Sequence, residues 1–458
     1  MMKRTVRQIA EMSGGRCVKS EWETIAVSGV STDTRAIQAG NLYVPLIGAK
    51  FNGHAFVNEA VQKGAAAVLW AEAEGTPPEG VPAIIVDDTL SALQRLAARY
   101  RQQLGLKVVG VTGSNGKTTT KDMIAALLAA NYRVQKTEGN LNNHIGVPLT
   151  LLSLEEDTEI AVVEMGMSGF GEIERLTLIA KPDAAVITNI GESHLQELGS
   201  REGIAKAKLE ILEGVHHDGL FVYHGDEPLL AERVPHLSLP RHVVTFGAGA
   251  ENDYYPTDVC IEAGGTSFAI NVLPGRTLFM PVLGKHHVYN ALAAIAVARF
   301  FGVDWEGIDA SLSRLQVTRM RTEVVKTKYG FTVINDAYNA SPTSMRAALT
   351  LLGELGGYRQ KIAVLGDMLE LGDEEVAFHR EIGEVLRPGM VDYVFTYGPL
   401  SHHIAAAAAP FFDDGRVREF DDKAALAEAV RSVATSDDIV LLKASRGMKL
   451  EELLRYWV

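Results

Sequence analysis

The segment GVTGSNGKTTTK, residues 110–121, combines glycine, lysine and threonine in a spacing suited to binding phosphate. It follows an apolar run, LKVVGVTG, that is typical of a buried strand, and it leads into a helical pattern, KDMIAALLAA. Glycines allow backbone N–H groups to converge on phosphate oxygens, and the N-terminus of the next helix adds a positive end. The pattern therefore predicts a loop for ATP or GTP without specifying a reaction.

The side chains of this loop have separate expected roles. Lys117 can reach the outer phosphates, and the hydroxyl of Thr118 can bind Mg²⁺. Gly110 stands one position earlier than the first glycine of the common G-x-x-x-x-G-K-[ST] pattern. An ordinary strand–turn–helix corner is the alternative, but the flanking strand and helix favour a phosphate loop. The predicted nucleotide-binding residues here are Gly113, Ser114, Asn115, Gly116, Lys117, Thr118 and Thr119.

Two further polar residues follow predicted strands, at the edge where open α/β sheets bind ligands. Glu164 ends the run EIAVVEMG, where a carboxylate can hold Mg²⁺ or can simply be a solvated acid. His194 follows the run DAAVITNI, and a lone histidine is more often structural than a ligand. Because both share an edge with the phosphate loop, the pattern leaves the binding role and the structural role open.

A lysine occupies the apolar face of a predicted helix in REGIAKAKLEILEG, residues 201–214. Helical spacing places Lys208 on the same face as Ile204 and Ile211, while Lys206 points the other way. Burial on such a face lowers the pKa of a lysine, and a neutral amine can react with CO₂ to form a carbamate. The carbamate is an anion able to bridge Mg²⁺ ions. A lysine that extends its ammonium to solvent is the alternative.

The order of strand-like and helical segments predicts an α/β protein of three domains, as the length of 458 residues suggests. Residues 1–101 predict a smaller N-terminal α/β domain. Residues 102–317 contain uninterrupted apolar runs, which predict a central P-loop-type, mostly parallel sheet with helices on both faces. Residues 318–458 alternate strands and helices, which predicts a Rossmann-like, doubly wound domain. One helix should begin there with Ser341 as N-cap and Pro342 in the first turn.

Polar residues also follow the predicted strands of the C-terminal block. Their shared position at the carboxyl ends of strands predicts a ligand cleft that faces the central domain. These residues are Asp336, Tyr338, Asn339, Asp367, Glu370, Lys443, Ser445 and Arg446.

Composition disfavours several classes of protein. No apolar run of about 18 residues predicts a membrane span, and the N-terminus lacks the apolar stretch of a signal peptide. Cys17 and Cys260 are the only cysteines, which is typical of a reducing cytoplasm rather than of a disulfide framework. The formal net charge of −13 would repel nucleic acid, although a small anion needs only local positive charge. We therefore expect a cytoplasmic protein with neither nucleic-acid nor membrane partners. We also expect a monomer, although the composition does not bear on the oligomeric state.

Several segments together resemble the Mur ligases, the ATP-dependent amide-forming enzymes of bacterial peptidoglycan synthesis. STDTRAIQAGNLYVPLIGAKFNGHAF resembles the UDP-binding N-terminal domain of that family. The phosphate loop carries the resemblance in the central block. The other segments are TEGNLNNHIGVPLTLL (137–152), EMGMSGFGEI (164–173), KPDAAVITNI (181–190), GKHHVYNALAAIAVA (284–298), NDAYNASPTSM (335–345), LGDMLELG (365–372) and LLKASRGMKLEELL (441–454). The similarity covers nearly the whole chain.

The resemblance implies a role for individual residues. Lys117, His194 and Lys208 would be catalytic. The ligands of two Mg²⁺ ions would be Thr118, Glu164, His194 and Lys208 as its carbamate. The nucleotide would also contact Asn290, Arg321 and Asp336. The substrate-binding residues would be Ser31, Thr34 and Arg35 at the UDP end, with Asn142, Asn143, Tyr338 and Asn339.

The implied reaction joins D-alanyl-D-alanine to UDP-N-acetylmuramoyl-tripeptide through an acyl phosphate, with release of ADP and phosphate. Another Mur-type or folylpolyglutamate-type ligase is one alternative, and a P-loop ATPase without ligation is a more distant one. Three positions depart from the family pattern: Met320 precedes Arg321 where glycine is common, Ser341 stands where asparagine is common, and Asn52 replaces the usual aspartate. These departures affect fine substrate contacts and remove no reactive group.

Overall fold

A computed structural model describes residues 1–262 and 264–458, and its N-terminal part builds two small sheets. The elements are β1 (Lys3–Thr5), α1 (Val6–Ser13), β2 (Arg16–Cys17), β3 (Ala26–Ser28), β4 (Val30–Ser31), β5 (Leu42–Tyr43), α2 (Val57–Gln62), β6 (Ala67–Ala71), β7 (Ala83–Val86) and α3 (Thr89–Leu104). The larger sheet has the order β2–β7–β6–β5–β4 and is parallel except for β2. The predicted boundary at residue 101 falls in the last turn of α3.

The central part contains a six-stranded sheet of order β13–β12–β11–β8–β10–β9 in which every pair is parallel. A three-stranded antiparallel sheet, β14–β15–β16, is appended. The elements are β8 (Lys107–Thr112), α4 (Lys117–Leu128), β9 (Val134–Lys136), α5 (Gly146–Ser153), β10 (Ile160–Glu164), α6 (Glu172–Ala180), β11 (Ala184–Ile187), α7 (Leu195–Leu198), α8 (Arg201–Leu209), β12 (Leu220–His224), α9 (Pro228–Arg233), β13 (His242–Phe246), β14 (Pro256–Glu262), β15 (Gly265–Ile270), β16 (Thr277–Met280), α10 (Lys285–Phe300) and α11 (Trp305–Leu312).

Alternation along the central strands explains why their sequences are apolar throughout. In β10, Ala161 and Val163 join one apolar core, whereas Ile160 and Val162 join another. Since successive side chains point to opposite faces, each face of the sheet needs its own cover of helices. The helices α3, α5, α6 and α8 contribute to the first core, and α4, α10 and α11 to the second. The prediction of a parallel sheet covered on both faces is confirmed.

The C-terminal part contains a second six-stranded sheet, of order β17–β18–β22–β19–β20–β21, with only β17 antiparallel. The elements are β17 (Glu323–Lys326), β18 (Thr332–Asn335), α12 (Pro342–Glu354), β19 (Lys361–Gly366), α13 (Glu375–Val385), β20 (Tyr393–Tyr397), α14 (His402–Ala408), β21 (Val417–Phe420), α15 (Lys423–Val433), β22 (Ile439–Lys443) and α16 (Leu454–Trp457). As predicted, α12 begins at Pro342, and Ser341 accepts a hydrogen bond from the Ser344 N–H.

Candidate active site

A cleft of about 630 Å³ lies where the carboxyl ends of the central strands face the C-terminal sheet. Both sheets contribute to it because loops that follow parallel strands emerge at one edge. The predicted site residues that line it are Ser114, Asn115, Gly116, Lys117, Thr118, Thr119, Asn142, Asn143, Glu164, His194, Asn290, Arg321, Asp336, Tyr338 and Asn339. The structure thus gathers most of the predicted set, from segments far apart in sequence, into one cavity.

The phosphate loop occupies the turn between β8 and α4. Gly113 and Gly116 have φ values of 147° and 78°, which residues other than glycine rarely adopt. A Cβ at Gly113 would collide with Thr188 Oγ1, and one at Gly116 would lie 2.7 Å from Asn290 Oδ1. Gly110, in contrast, lies within β8, where its missing side chain leaves room for Met165. The first glycine of the loop is therefore Gly113, and Gly110 is a packing residue of the strand.

Lys117 folds back onto its own loop. Its Nζ donates hydrogen bonds to the carbonyl oxygens of Gly113 at 2.7 Å and Ser114 at 3.2 Å. Burial lowers the pKa of Lys117, against the opposing charge of Glu164. An anion placed in the loop would offer this cation a stronger partner than two neutral carbonyls.

Thr118, in the first turn of α4, contacts Glu164 at the carboxyl end of β10. The Thr118 hydroxyl donates to Glu164 Oε2 at 2.8 Å and accepts from Arg321 Nη2 at 2.8 Å. Asn142 Nδ2 donates to Glu164 Oε1 at 2.9 Å. Two hard oxygen donors therefore meet beside the phosphate loop, a donor set that suits Mg²⁺.

A Mg²⁺ ion at this site would need ligands other than carboxylates and histidines, such as hydroxyl, phosphate and water oxygens. Within residues 1–262 and 264–458, no three His, Cys, Asp or Glu side chains are grouped closely enough to hold a metal ion. A Mg²⁺ ion in nucleotide sites commonly uses one or two protein oxygens and completes its shell with phosphate oxygens and water. Thr118 and Glu164 fit that arrangement.

His194 lies in the loop after β11 with a φ of 65°, immediately before α7. Its Nδ1 is 3.1 Å from Glu370 Oε2 of the C-terminal part. Burial, with the charges of Lys117 and Lys208, lowers the pKa of His194 to about 4. The ring is therefore neutral at pH 7 and has a nitrogen lone pair available.

Lys208 is buried in α8, with 2% of its surface exposed, as the helical spacing predicts. Burial, followed by the charge of Lys117, holds the pKa of Lys208 well below its ordinary value. Lys206 is exposed and lies 5.6 Å from the Phe170 ring centroid. Lys208 is not among the residues that line the cleft.

The C-terminal wall is built from a chain of polar contacts. Asp336 accepts from Lys443 Nζ at 2.6 Å, and Lys443 also donates to the Asn339 carbonyl at 3.1 Å. The Arg321 guanidinium lies 4.2 Å from the Tyr338 ring centroid. Arg321 Nε is buried without a hydrogen-bond partner in the described part of the chain, as are Ser114 Oγ and Asn115 Nδ2. Such orphaned groups indicate a polar ligand between the two walls.

The residues predicted to bind the UDP end lie outside this cleft. Thr34 Oγ1 donates to Glu59 at 3.0 Å, and Ser31 Oγ donates to the Asp33 carbonyl at 2.9 Å. Arg35 pairs with Asp33 at 2.7 Å and is largely exposed. Their hydrogen bond lowers the pKa of Asp33 to about 2. The structure places these residues together on the N-terminal part, away from the phosphate loop.

Sequence reasoning missed several residues of the cleft wall. They are Asn189, Arg201, His224, Asp226, Glu227, His286, His287, Tyr289, Thr322, Thr343 and Ser344. Burial lowers the pKa of His286 to about 4 and that of His287 well below its ordinary value. The paired histidines in GKHHVYNALAA were a usable signal, because they lie one helical turn before Asn290. Thr343 gave no such signal, because its place in the wall depends on contacts that form only in the folded chain.

Three family models match this chain in sequence order. The Mur ligase family catalytic domain matches residues 26–101, the Mur ligase middle domain matches residues 111–298, and the Mur ligase glutamate ligase domain matches residues 320–446. The UDP-N-acetylmuramoyl-tripeptide–D-alanyl-D-alanine ligase of Bacillus subtilis is 54% identical over 455 residues, which cover 99% of this chain and 98% of that protein. The chain belongs to the Mur ligase family.

Solved Mur ligase structures share the arrangement described above. MurF from Acinetobacter baumannii superposes with a TM-score of 0.89 at 31% identity, covering 100% of this chain and 99% of its own. MurF ligase from Thermotoga maritima in complex with ADP gives a TM-score of 0.83 at 30% identity, covering 94% and 96%. The three-part α/β fold of this Mur ligase is therefore the fold of those enzymes.

Proposed function

We propose that this Mur ligase is an ATP-dependent enzyme that joins D-alanyl-D-alanine to UDP-N-acetylmuramoyl-tripeptide. The observation that carries the proposal is the 54% identity, along almost the entire chain, to the Bacillus subtilis ligase of that name. The reaction belongs to the synthesis of peptidoglycan precursors and releases ADP and phosphate. It fits a cleft that has a phosphate loop on one wall and the side chains of Arg321, Asn339 and Lys443 on the other.

The chemistry follows from the weakness of a carboxylate as an electrophile. Transfer of the γ-phosphoryl group of ATP to the terminal carboxylate of the tripeptide gives an acyl phosphate. The D-alanyl-D-alanine amine attacks its carbonyl carbon, a tetrahedral intermediate forms, and phosphate leaves. Lys117 would exchange its two loop carbonyls for phosphate oxygens and stabilise charge during transfer.

We further propose that Thr118 and Glu164 hold Mg²⁺, with His194 and Lys208 as additional ligands. Bound Mg²⁺ would neutralise charge on the transferring phosphoryl group. The depressed pKa of Lys208 supports carbamate formation, because a neutral amine can attack CO₂. In that step an N–C bond forms and the amine loses a proton to solvent.

The walls of the cleft would bind the two ends of the substrates. Asn290, Arg321 and Asp336 would contact the nucleotide, while Asn142, Asn143, Tyr338 and Asn339 would contact the peptide. Ser31, Thr34 and Arg35 would contact the UDP end on the N-terminal part.

The remaining proposals concern the whole chain. The three domains would divide at residues 101/102 and 317/318, and the enzyme would act as a monomer in the cytoplasm. Both cysteines are free, which agrees with a reducing compartment. In the described part of the chain, no helix combines the length and apolar character needed to span a bilayer. Light scattering during size-exclusion chromatography tests the monomer.

A coupling assay tests the function. Purified enzyme is supplied with ATP, Mg²⁺, D-alanyl-D-alanine and either the meso-diaminopimelate or the L-lysine form of the UDP-tripeptide. We expect phosphate release that requires both the carboxylate and the amine substrate, together with a UDP-pentapeptide detected by mass spectrometry. Phosphate release independent of the amine would indicate an ATPase without ligation, and coupling of glutamate to a folate would indicate the other ligase class.

A further inference from the structure

The loop between β11 and α7 presents a buried carboxylate to the C-terminal part. Glu192, which is 7% exposed, accepts hydrogen bonds from the Thr343 N–H at 3.2 Å and from the Thr343 hydroxyl at 2.8 Å. Arg346 Nη2 lies 3.5 Å from the same carboxylate, and Arg346 Nη1 pairs with Glu381 at 2.6 Å. Glu192 thus connects the central part to two residues of α12 in the C-terminal part.

The N-terminal N–H groups of α12 show why this contact matters. The Ser341 N–H donates to Ser344 Oγ, and the Ser344 N–H donates to Ser341 Oγ, so the helix satisfies these two itself. Pro342 has no N–H to satisfy. The Thr343 N–H is left, and its acceptor comes from Glu192 of the central part. A carboxylate at this point is also favoured by the positive end of the helix.

The same helix end touches the phosphate loop. Ser341 Oγ donates to Asn115 Oδ1 at 3.2 Å. A Cβ at Gly191 would lie 3.0 Å from Asn115 Nδ2 and 3.7 Å from Thr343 Oγ1, so the chain beside Glu192 fits between the loop and the helix. Tyr338 and Asn339, which line the cleft, lie four and three residues before the first residue of this helix.

We propose that Glu192 is a positioning residue that holds the N-terminus of α12 against the phosphate loop when the two sheets close over bound substrates. It acts through Thr343 and sets the placement of Tyr338 and Asn339 rather than touching the reacting atoms. The proposal rests on the ligase function stated above, because amide formation requires both walls of the cleft at once. Loss of Glu192 should therefore impair the use of D-alanyl-D-alanine more than it impairs the binding of nucleotide.

The experiment compares the wild type with Glu192→Ala, Glu192→Gln and Thr343→Val. The matched control is Glu381→Ala, which breaks the outer pair of Arg346 and leaves the Glu192–Thr343 contact in place. For each protein, kcat and KM for D-alanyl-D-alanine, the Kd for ADP and the radius of gyration are measured. The radius is compared between the free enzyme and the enzyme with a non-hydrolysable ATP analogue and both substrates.

We expect Glu192→Ala to lower kcat/KM for D-alanyl-D-alanine by about tenfold or more, as loss of a charge-assisted hydrogen bond implies. The Kd for ADP should change less than about twofold, and the compaction should be smaller. Glu192→Gln keeps an acceptor and should recover part of the loss, whereas Glu381→Ala should match the wild type. The double variant of Glu192→Ala with Thr343→Val should be no worse than Glu192→Ala alone, because the two residues act as one contact.

Several outcomes would overturn the proposal. They are normal kcat/KM in Glu192→Ala, reduced activity with wild-type compaction, or additive losses in the double variant. If Glu192→Ala does not fold, Glu192→Gln and Thr343→Val provide the same comparison, and wild-type behaviour in both would count against the idea. A wild-type enzyme that compacts but forms no amide would refute the ligase function instead.

Discussion

At the scale of single residues, Lys117 and Thr118, which are expected to bind phosphate and Mg²⁺, already have hydrogen-bond partners within the protein. Lys117 lies on its own loop carbonyls, and Thr118 lies between Glu164 and Arg321. These contacts hold the two side chains in place without a ligand. When ATP binds, each side chain would exchange a protein partner for a phosphate oxygen or Mg²⁺ and would move little. Pre-arranged groups of this kind are what stabilise charge during phosphoryl transfer.

Lys117→Ala should therefore abolish most turnover and leave the fold intact. Loss of one such donor commonly costs about 10²- to 10³-fold in kcat, while the lost carbonyl contacts are worth only about 1 kcal/mol each. Steady-state kinetics beside a thermal melt separate the two effects. Wild-type turnover in this variant would refute the ligase mechanism.

Lys208→Ala should lose most of the ligase activity, whereas Lys206→Ala should keep nearly wild-type activity. The first lysine is buried with its pKa held well below the ordinary value, whereas the second is exposed on the opposite face. A short carboxylate such as acetate should restore part of the activity of Lys208→Ala by replacing the carbamate. Labelling with ¹³CO₂ followed by NMR should show a carbamate signal in the wild type that Lys208→Ala lacks.

Equal losses in the two lysine variants would point to a general effect on α8. An unmodified Lys208 in active enzyme would rule out the carbamate.

At the scale of elements, α4 joins the phosphate loop to the start of the C-terminal part. Its first residue is Lys117, and one turn further Asp122 is fully buried and accepts from the Thr318 N–H at 2.9 Å and hydroxyl at 2.7 Å. Lys136 Nζ also donates to Asp122 at 2.7 Å. The helix that presents Lys117 to the phosphates therefore also fixes the point from which the C-terminal part leaves.

Asp122→Ala should destabilise the protein by about 3–5 kcal/mol, because it leaves buried donors and a lysine without their partner. Glu156→Ala is the control, since it removes an exposed pair with Arg4 that is worth at most about 1 kcal/mol. Denaturant titration measures both. Equal effects in the two variants would contradict the role given to the buried carboxylate.

The same carboxylate gives a pH dependence with a defined sign. Burial raises the pKa of Asp122, but the Lys121 charge and the hydrogen bonds from Lys136 and Thr318 outweigh it, and the pKa lies below the ordinary 3.8. Stability from this group is therefore complete above pH 3.8 and is lost as the pH falls through the folded-state pKa. The wild type should lose more stability than Asp122→Ala over that acid range.

Elements also differ in how well the sequence predicts them. The strands β8, β10, β11, β19 and β22 are buried on both faces. Burial on both faces requires a continuous apolar sequence, which is recognisable without the structure. The strand β14 lies at a sheet edge and has only exposed and half-buried residues, so no long apolar run marks it in the sequence. Lys208 was predictable because its helix face is local. Glu192 was not, because its partner Thr343 lies 151 residues away in the chain.

At the scale of the whole molecule, the central and C-terminal sheets lie close across the cleft. Contacts between Asn115 and Ser341, between Glu192 and Thr343, and between His194 and Glu370 bridge it. An acyl phosphate must be protected from water and approached by the amine, so a closed cleft is the reactive arrangement. The sequence could not predict this arrangement, because it depends on contacts between units rather than on patterns within one.

We predict that the enzyme opens without substrates and closes when they bind, about hinges near residues 101 and 318. Small-angle scattering should show compaction with an ATP analogue and both substrates, and little with UDP-tripeptide alone. An unchanged radius of gyration under both conditions would argue against the hinge motion.

The contact between Asn115 and Ser341 spans 226 residues, and that distance has a consequence for how the enzyme is made. The ribosome synthesises the phosphate loop and the whole central sheet before it adds Ser341. A nascent chain that has not yet reached Ser341 therefore contains the phosphate loop but lacks the wall that completes the cleft. We expect such a chain to form no amide, so the coupling reaction becomes possible only after about three quarters of the protein has been synthesised.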